Sequence, residues 1–328
     1  MLRLFWKNTI VQVAVILAAM LFMWIPALSQ MHPMSPAIGY APLYTPLYNL
    51  SIPPMVATIA AMTLVLFGGL YLNLMLANTG LVSQNSLLPT LLYAVFMSAT
   101  ATSLSPMLLA NLITLAILHM LLLHGSSLTI PTDRIFGAAA LISIASMLYL
   151  PMLTLVIAYL LVAINYRLYN WREWMVLLLG LLAPYLLLWS ILFLTGGLSD
   201  SLSKTIDGLS DIGISISDTP TFPMLANLML AAILVISIVS LWHRLGEKTV
   251  VWKKNAITTI LPAVSGLAIL LYSRLFPVNL QFFALPFAFC GTQMLAAGRH
   301  RLGRPNRQWK VWVNDVLLIL IIACAVIC

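Results

Sequence analysis

The chain has 328 residues, of which 62% are hydrophobic and 7% charged, with 16 Lys plus Arg against 8 Asp plus Glu. Soluble domains carry about 25% charged residues, so this chain lacks the polar groups to cover a water-exposed surface. Soluble enzymes, disordered chains, coiled coils and disulfide-rich secreted domains are excluded. Long unbroken apolar runs, in place of the dyad alternation of a barrel, point to one all-α polytopic transmembrane helical bundle over residues 1–328.

Runs of about 20 apolar residues cross the roughly 30 Å hydrocarbon layer. In chain order they predict about eleven spans, near 9–28, 54–77, 87–103, 105–123, 135–149, 151–166, 174–195, 222–242, 256–273, 278–297 and 312–328. The first follows Arg3 and Lys7 and ends in the small-residue pattern Ala27-Leu28-Ser29. It is longer than the roughly 7–15 residues of a signal h-region and reads as an uncleaved helix.

Residues 29–53 form an uncharged outer loop that holds His32, Tyr40, Tyr44 and Tyr48 among several prolines. Pro42-Leu43-Tyr44-Thr45, followed by Pro46-Leu47-Tyr48, spaces aromatic rings four residues apart. Tyr rings settle well at the headgroup level, so the loop reads first as an anchor or plug. The functional alternative is a substrate-binding platform in which Tyr40, Tyr44 and Tyr48 stack on a sugar or hold a lipid head.

Further along, Asn73, Asn111 and Asn227 are amides within apolar runs, and His119 lies near the inner end of the fourth. Such groups usually hold helices together. Ile135–Tyr166 is a chargeless stretch broken at Leu150-Pro151, too long for one helix and short for two. Two tight helices meeting at Pro151 are expected, because Pro pushes the preceding residue out of the α region; a single kinked helix is the alternative.

The segments Leu88-Pro89-Thr90-Leu91-Leu92-Tyr93, Ser105-Pro106-Met107-Leu108-Leu109-Ala110-Asn111-Leu112, Ala145-Ser146-Met147-Leu148-Tyr149-Leu150-Pro151, Asn170-Trp171-Arg172-Glu173-Trp174 and Gly180-Leu181-Leu182-Ala183-Pro184-Tyr185 share one further property. Over residues of about 50–200 they resemble a domain-of-unknown-function family of multi-pass inner-membrane proteins from Bacteroidota, most specifically at Trp-Arg-Glu-Trp. That resemblance implies the inner membrane of a Gram-negative cell and carries no functional residues with it. The many spans and enlarged outer loops are also similar in architecture to O-antigen polymerases and ligases. Independently, Trp171 and Trp174 suit the interface, and Glu173 complements the macrodipole at the start of a helix.

The second outer loop, 196–221, repeats Gly197-Leu198-Ser199-Asp200 as Gly208-Leu209-Ser210-Asp211. Leu198, Leu202, Ile206, Leu209 and Ile212 recur at helical spacing opposite Asp200, Lys204, Asp207 and Asp211, which predicts an amphipathic helix on the membrane surface. Its acidic face has no calcium-loop spacing, so Asp200, Asp207 and Asp211 are read as partner-binding residues on a solvated face. Arg274 stands at the outer end of the ninth span, where a guanidinium can fork two donors onto one phosphate or carboxylate. Asp315 is the one acid inside a span, and Cys290, Cys324 and Cys328 show no metal or disulfide spacing. No cofactor or metal is expected.

Lys and Arg accumulate on the cytoplasmic side. With the N-terminus inside, eleven spans place fourteen of the sixteen cations inside, leave Lys204 and Arg274 outside, and put the C-terminus in the periplasm. The net charge of +8 therefore reports insertion and not a nucleic-acid partner. The partners expected are membrane lipids and other envelope membrane proteins. The reading that needs fewest special residues is a non-catalytic integral inner-membrane subunit or scaffold of a cell-envelope biogenesis or secretion complex. The alternative is a membrane transferase acting on a polyprenyl-phosphate-linked glycan at the periplasmic face, with His32 as general base and Arg274 on the phosphate.

Overall fold

The computed structural model describes residues 9–30, 33–36, 41–83, 86–101, 103–122, 130–168, 170–210, 221–246, 248–272, 278–296, 318–319 and 321–322. Every regular element among them is helical: α1 (Thr9–Gln30), α2 (Tyr44–Asn49), α3 (Pro54–Asn78), α4 (Leu88–Thr100), α5 (Pro106–Leu122), α6 (Thr132–Leu148), α7 (Leu155–Asn165), α8 (Trp171–Leu194), α9 (Leu198–Ser210), α10 (Thr221–Leu245), α11 (Val250–Ile260), α12 (Pro262–Tyr272) and α13 (Ala284–Ala296). Two 3-10 segments, Leu150–Thr154 and Val278–Phe283, precede α7 and α13. By length and composition α1, α3 and α8 are apolar enough to cross a membrane.

Local chemistry sets the helix ends. Proline opens α3, α5 and α12 and is the second residue of α4, a place where its missing N–H costs nothing and its φ is already helical. Asn170 and Glu173 form a capping box at the start of α8, with the Asn170 amide donating to Glu173 Oε2 at 3.4 Å. The stretch 135–166 is two helices. Tyr149 is extended and the 3-10 turn at Pro151 reverses the chain, so that Ile135 at the start of α6 and Ala163 near the end of α7 line one pocket. The apolar run expected over 256–273 begins earlier and is divided into α11 and α12, with Pro262 as the first residue of the second helix.

The helices gather around two main apolar cores. In the first, Trp24 of α1, Phe96 of α4 and Phe287 and Phe289 of α13 are buried with residues of α3 and α10. In the second, α5, α6, α7 and α8 close around Ala138, Ile142, Tyr149 and Tyr159. The first helix belongs to the core: Trp24 donates to the Ser98 hydroxyl at 2.8 Å, and Gln12 accepts the Leu87 amide at 2.8 Å. Close approach is made possible by small residues. A Cβ placed on Gly68 would lie 3.2 Å from the Tyr93 ring, and one on Gly69 3.2 Å from Thr90.

The ends of the bundle differ in chemistry. The starts of α6 and α8 meet the end of α7 at the pocket shared by Ile135, Leu168 and Trp174, and Asn165 donates to the Lys254 carbonyl at 3.1 Å. Arg134, Arg167, Arg172, Lys253 and Lys254 are thus gathered at one end. The Lys254 ammonium sits 5.1 Å from the Tyr166 ring centre. At the other end of α6, the Met147 carbonyl accepts the Leu43 amide from the proline-rich segment at 3.2 Å.

Candidate functional site

Three features carry polar or exposed chemistry. The first is the cap that the proline-rich segment lays over the helix ends. Met34, Ala41 and Tyr44 pack with Ala57 of α3 and Leu104 in a small apolar core. The Ser35 amide donates to the Leu104 carbonyl at 3.2 Å, and the Tyr44 hydroxyl donates to the Ser35 carbonyl at 2.5 Å. Tyr44 is fully enclosed at 0% exposure, whereas Tyr48 one turn later is 40% exposed. Burial pushes the Tyr44 phenol up to about 12, and the neighbouring Tyr48 adds to the shift. The two rings stand 6.3 Å apart and tilted. The Tyr44 ring is thus packed within the cap, its hydroxyl given a partner.

Beneath the cap, helices α4 and α5 and the 3-10 segment before α13 meet at a polar junction. Gln281 donates to the Thr100 carbonyl at 3.0 Å, which supplies a partner to a main-chain oxygen at the end of α4. Asn111 donates to the Gln281 carbonyl at 3.1 Å and to the Met97 sulfur at 3.3 Å. Both side chains are buried. Asn111 thus ties α5 to the segment ahead of α13, the helix-joining role expected of it. Gln281 is the partner that sequence reading misses, since nothing in a lone glutamine says which carbonyl it will meet.

The third feature is an arm made of α8 and α9. Helix α8 packs chiefly on α6 through a seam of small and hydroxylated residues. A Cβ on Gly180 would stand 2.7 Å from the Phe136 carbonyl oxygen and 2.8 Å from the Ala139 Cβ. Ser143 donates to the Leu181 carbonyl at 2.6 Å, and the Ser146 and Tyr185 hydroxyls are 2.7 Å apart. Only Leu177 and Gly180 are buried in α8; Leu179, Leu187 and Phe193 are more than half exposed. Gly196, at φ +75°, turns the chain into α9. There Asp200 pairs with Lys204 at 2.7 Å across one exposed turn, Asp207 is exposed, and Ser201 is buried.

His32, Tyr40, Asp211 and Arg274 lie outside the described residues, as does most of the last expected span. Of the site residues expected from sequence, Tyr44 and Tyr48 are brought together in the cap, and Asp200 and Asp207 share α9, at a different place in the fold. His119 stacks on Tyr71 of α3 with ring centres 5.4 Å apart. Among the described residues no three His, Cys, Asp or Glu side chains are grouped as metal ligands.

Among the described residues, helix-only architecture, an apolar exterior on α1, α3 and α8, and buried amides in place of buried charges define an α-helical membrane protein. Comparison with protein-family models, with curated proteins and with solved structures finds no match to this chain.

Proposed function

We propose that the chain is a multi-pass protein of the inner membrane of a Gram-negative cell, with about eleven spans, its N-terminus in the cytoplasm and its C-terminus in the periplasm. Its work is that of a non-catalytic subunit or scaffold in a cell-envelope biogenesis or secretion complex. The resemblance of residues of about 50–200 to a Bacteroidota inner-membrane family is consistent with this location. The orientation is supported by the basic residues gathered at one end of the bundle, since Lys and Arg stay on the cytoplasmic side, while the uncharged cap covers the other end.

The observation that carries the scaffold reading is the α8–α9 arm. Helix α8 leaves most of its circumference apolar and uncovered, and it leads into a helix whose charged side is net acidic. Anionic lipid attracts basic faces, not acidic ones. The occupant that fits the arm is a second membrane protein, with an apolar helix for α8 and Lys or Arg at its outer surface for Asp200, Asp207 and Asp211. The test is charge reversal in the native strain. Asp207→Lys combined with Asp211→Lys is expected to remove the co-purifying membrane protein from mild-detergent extracts. A matching acid substituted for the partner's basic residue is expected to restore it. Retention of the same partner by the reversed arm would defeat the reading.

A further inference from the structure

Six buried side-chain polar atoms among the described residues have no hydrogen-bond partner: Asn73 Oδ1, Tyr93 Oη, Asn111 Oδ1, His119 Nδ1, Tyr159 Oη and Gln281 Oε1. Five of them belong to α3, α4, α5 and the 3-10 segment that meets α4 and α5. At one level, a Cβ on Gly68 would lie 3.2 Å from the Tyr93 hydroxyl and 2.9 Å from Leu112, so this phenol oxygen sits where α3, α4 and α5 converge. Asn111 is the neighbour of Leu112, and its amide nitrogen touches Met97, one turn beyond Tyr93 on α4. Gln281 follows through its carbonyl. In the other direction, His119 is seven residues after Leu112, two turns along the same side of α5, and stacks on Tyr71 of α3. Asn73 is one turn beyond Gly69, on the side of α3 that meets Thr90 of α4.

At Asn111 and Gln281 the free atom is the amide oxygen, and the neighbours fix that orientation. The Asn111 nitrogen is held by the Gln281 carbonyl and the Gln281 nitrogen by the Thr100 carbonyl. Turning either amide over would bring two oxygens together. Each side chain therefore keeps a buried acceptor without a protein partner. Buried polar atoms are matched by protein or by ordered water, and internal waters gather where two to four polar groups face a common space.

We infer that the α3–α4–α5 seam is an internal water site, a file of ordered waters that begins at Gln281 and Asn111 beneath the cap, passes the Tyr93 hydroxyl, and ends at His119. Water donates to the two amide oxygens and exchanges hydrogen bonds with the phenol and the imidazole. The site uses none of the arm residues, so it stands whether or not α8 and α9 bind a partner.

Hydroxyl-radical footprinting of the full chain in lipid nanodiscs tests this, because bound water delivers radicals to side chains that bulk solvent does not reach. Met97 and Tyr93 are 1% and 0% exposed; Met20 and Met152, outside the seam, are equally buried at 1% and 0%. Oxidation of Met97 several-fold faster than Met20 and Met152 is the expected result, with Tyr93 modified as well. Equal rates for the three methionines would overturn the inference. In Asn111→Leu the Met97 rate is expected to fall to that of the controls, and an unchanged rate would remove Asn111 from the site. The comparison within the unaltered protein needs no variant, so it decides the matter even if Asn111→Leu does not fold.

Discussion

Helices α4 and α8 are both strongly apolar, yet they stand in opposite environments. In α4 every residue from Leu88 to Met97 is buried; in α8, nearly twice as long, only Leu177 and Gly180 are. Lipid tails are as apolar as leucine, so hydrophobicity alone gives a membrane helix no reason to choose protein over lipid. The choice is made by shape and by hydrogen bonds. Gly68 and Gly69 let α3 close on α4, Thr90 donates to the Gly69 carbonyl at 3.1 Å, and Gln281 caps the end of α4. Helix α8 has one such side, at Gly180 and Tyr185, and offers the rest outward. The core is assembled from many directions, whereas the arm hangs chiefly on its seam with α6.

This contrast orders the effects of substitution. Phe96 and Phe287 are fully buried with ring centres 4.8 Å apart, so Phe287→Ala removes a large side chain from the crowded α4–α13 contact. A loss of roughly 3–5 kcal/mol is expected from such a truncation, seen as a large drop in the unfolding midpoint in mixed micelles. The matching change on the arm, Leu187→Ala at 69% exposure, is expected to stay within about 0.5 kcal/mol. Equal losses at the two sites would erase the distinction between core and arm.

Gly180→Leu attacks the seam itself. The new side chain has no room beside the Phe136 carbonyl and Ala139, and overpacking of this kind costs about 1–3 kcal/mol. Because α8 packs chiefly on α6 among the described residues, the arm is expected to separate from α6 before the core unfolds. Cysteine cross-linking between α6 and α8 reports this as lost yield with the core melting point retained.

In the cap, the sign of the pH effect follows from the Tyr44 phenol. Its proton is held more tightly in the folded protein, at about 12, than in an unfolded chain, at about 10. The buried neutral ring stabilises the cap fully below the lower value, and that contribution is lost as pH rises through the higher one. The alkaline absorbance difference between the protein and Tyr44→Phe is expected to show one phenol titrating near 12. A component near the ordinary tyrosine value would contradict the buried placement.

The smaller effects are at Tyr185 and Lys204. Tyr185→Phe removes the hydroxyl paired with Ser146 and is expected to cost about 0.5–1.5 kcal/mol. Lys204→Ala breaks an exposed pair with side chains 57% and 69% accessible, and about 0.5 kcal/mol or less is expected in thermal unfolding. A larger loss would mean that α9 is held more firmly than its contacts with α8 suggest.

Much of the helix order was legible from the sequence, because apolar runs, prolines and the reversal at Pro151 act locally. The same local signals marked α9, whose apolar positions recur at helical spacing, and Glu173, which completes a cap. The pairing of elements was not legible. Gly180 reads as one glycine among sixteen until α6 supplies Phe136 and Ala139. Gln281 gains its role from Thr100, distant in sequence, and Asn111 from Gln281. The burial of Tyr44 was not legible either, because its regular spacing with Tyr48 says nothing of which ring is covered. That burial depends on Ser35 and Leu104 closing over it.

The central claim, that the uncovered face of α8 meets another membrane protein, is tested most directly by photo-crosslinking in living cells. A photoreactive residue at Leu187 of α8 is compared with one at Val235 of α10, exposed at 69% and 59%. The account predicts a discrete adduct with one membrane protein at Leu187, lost on reversing the α9 charges, and lipid adducts alone at Val235. Lipid adducts alone at both positions would contradict it.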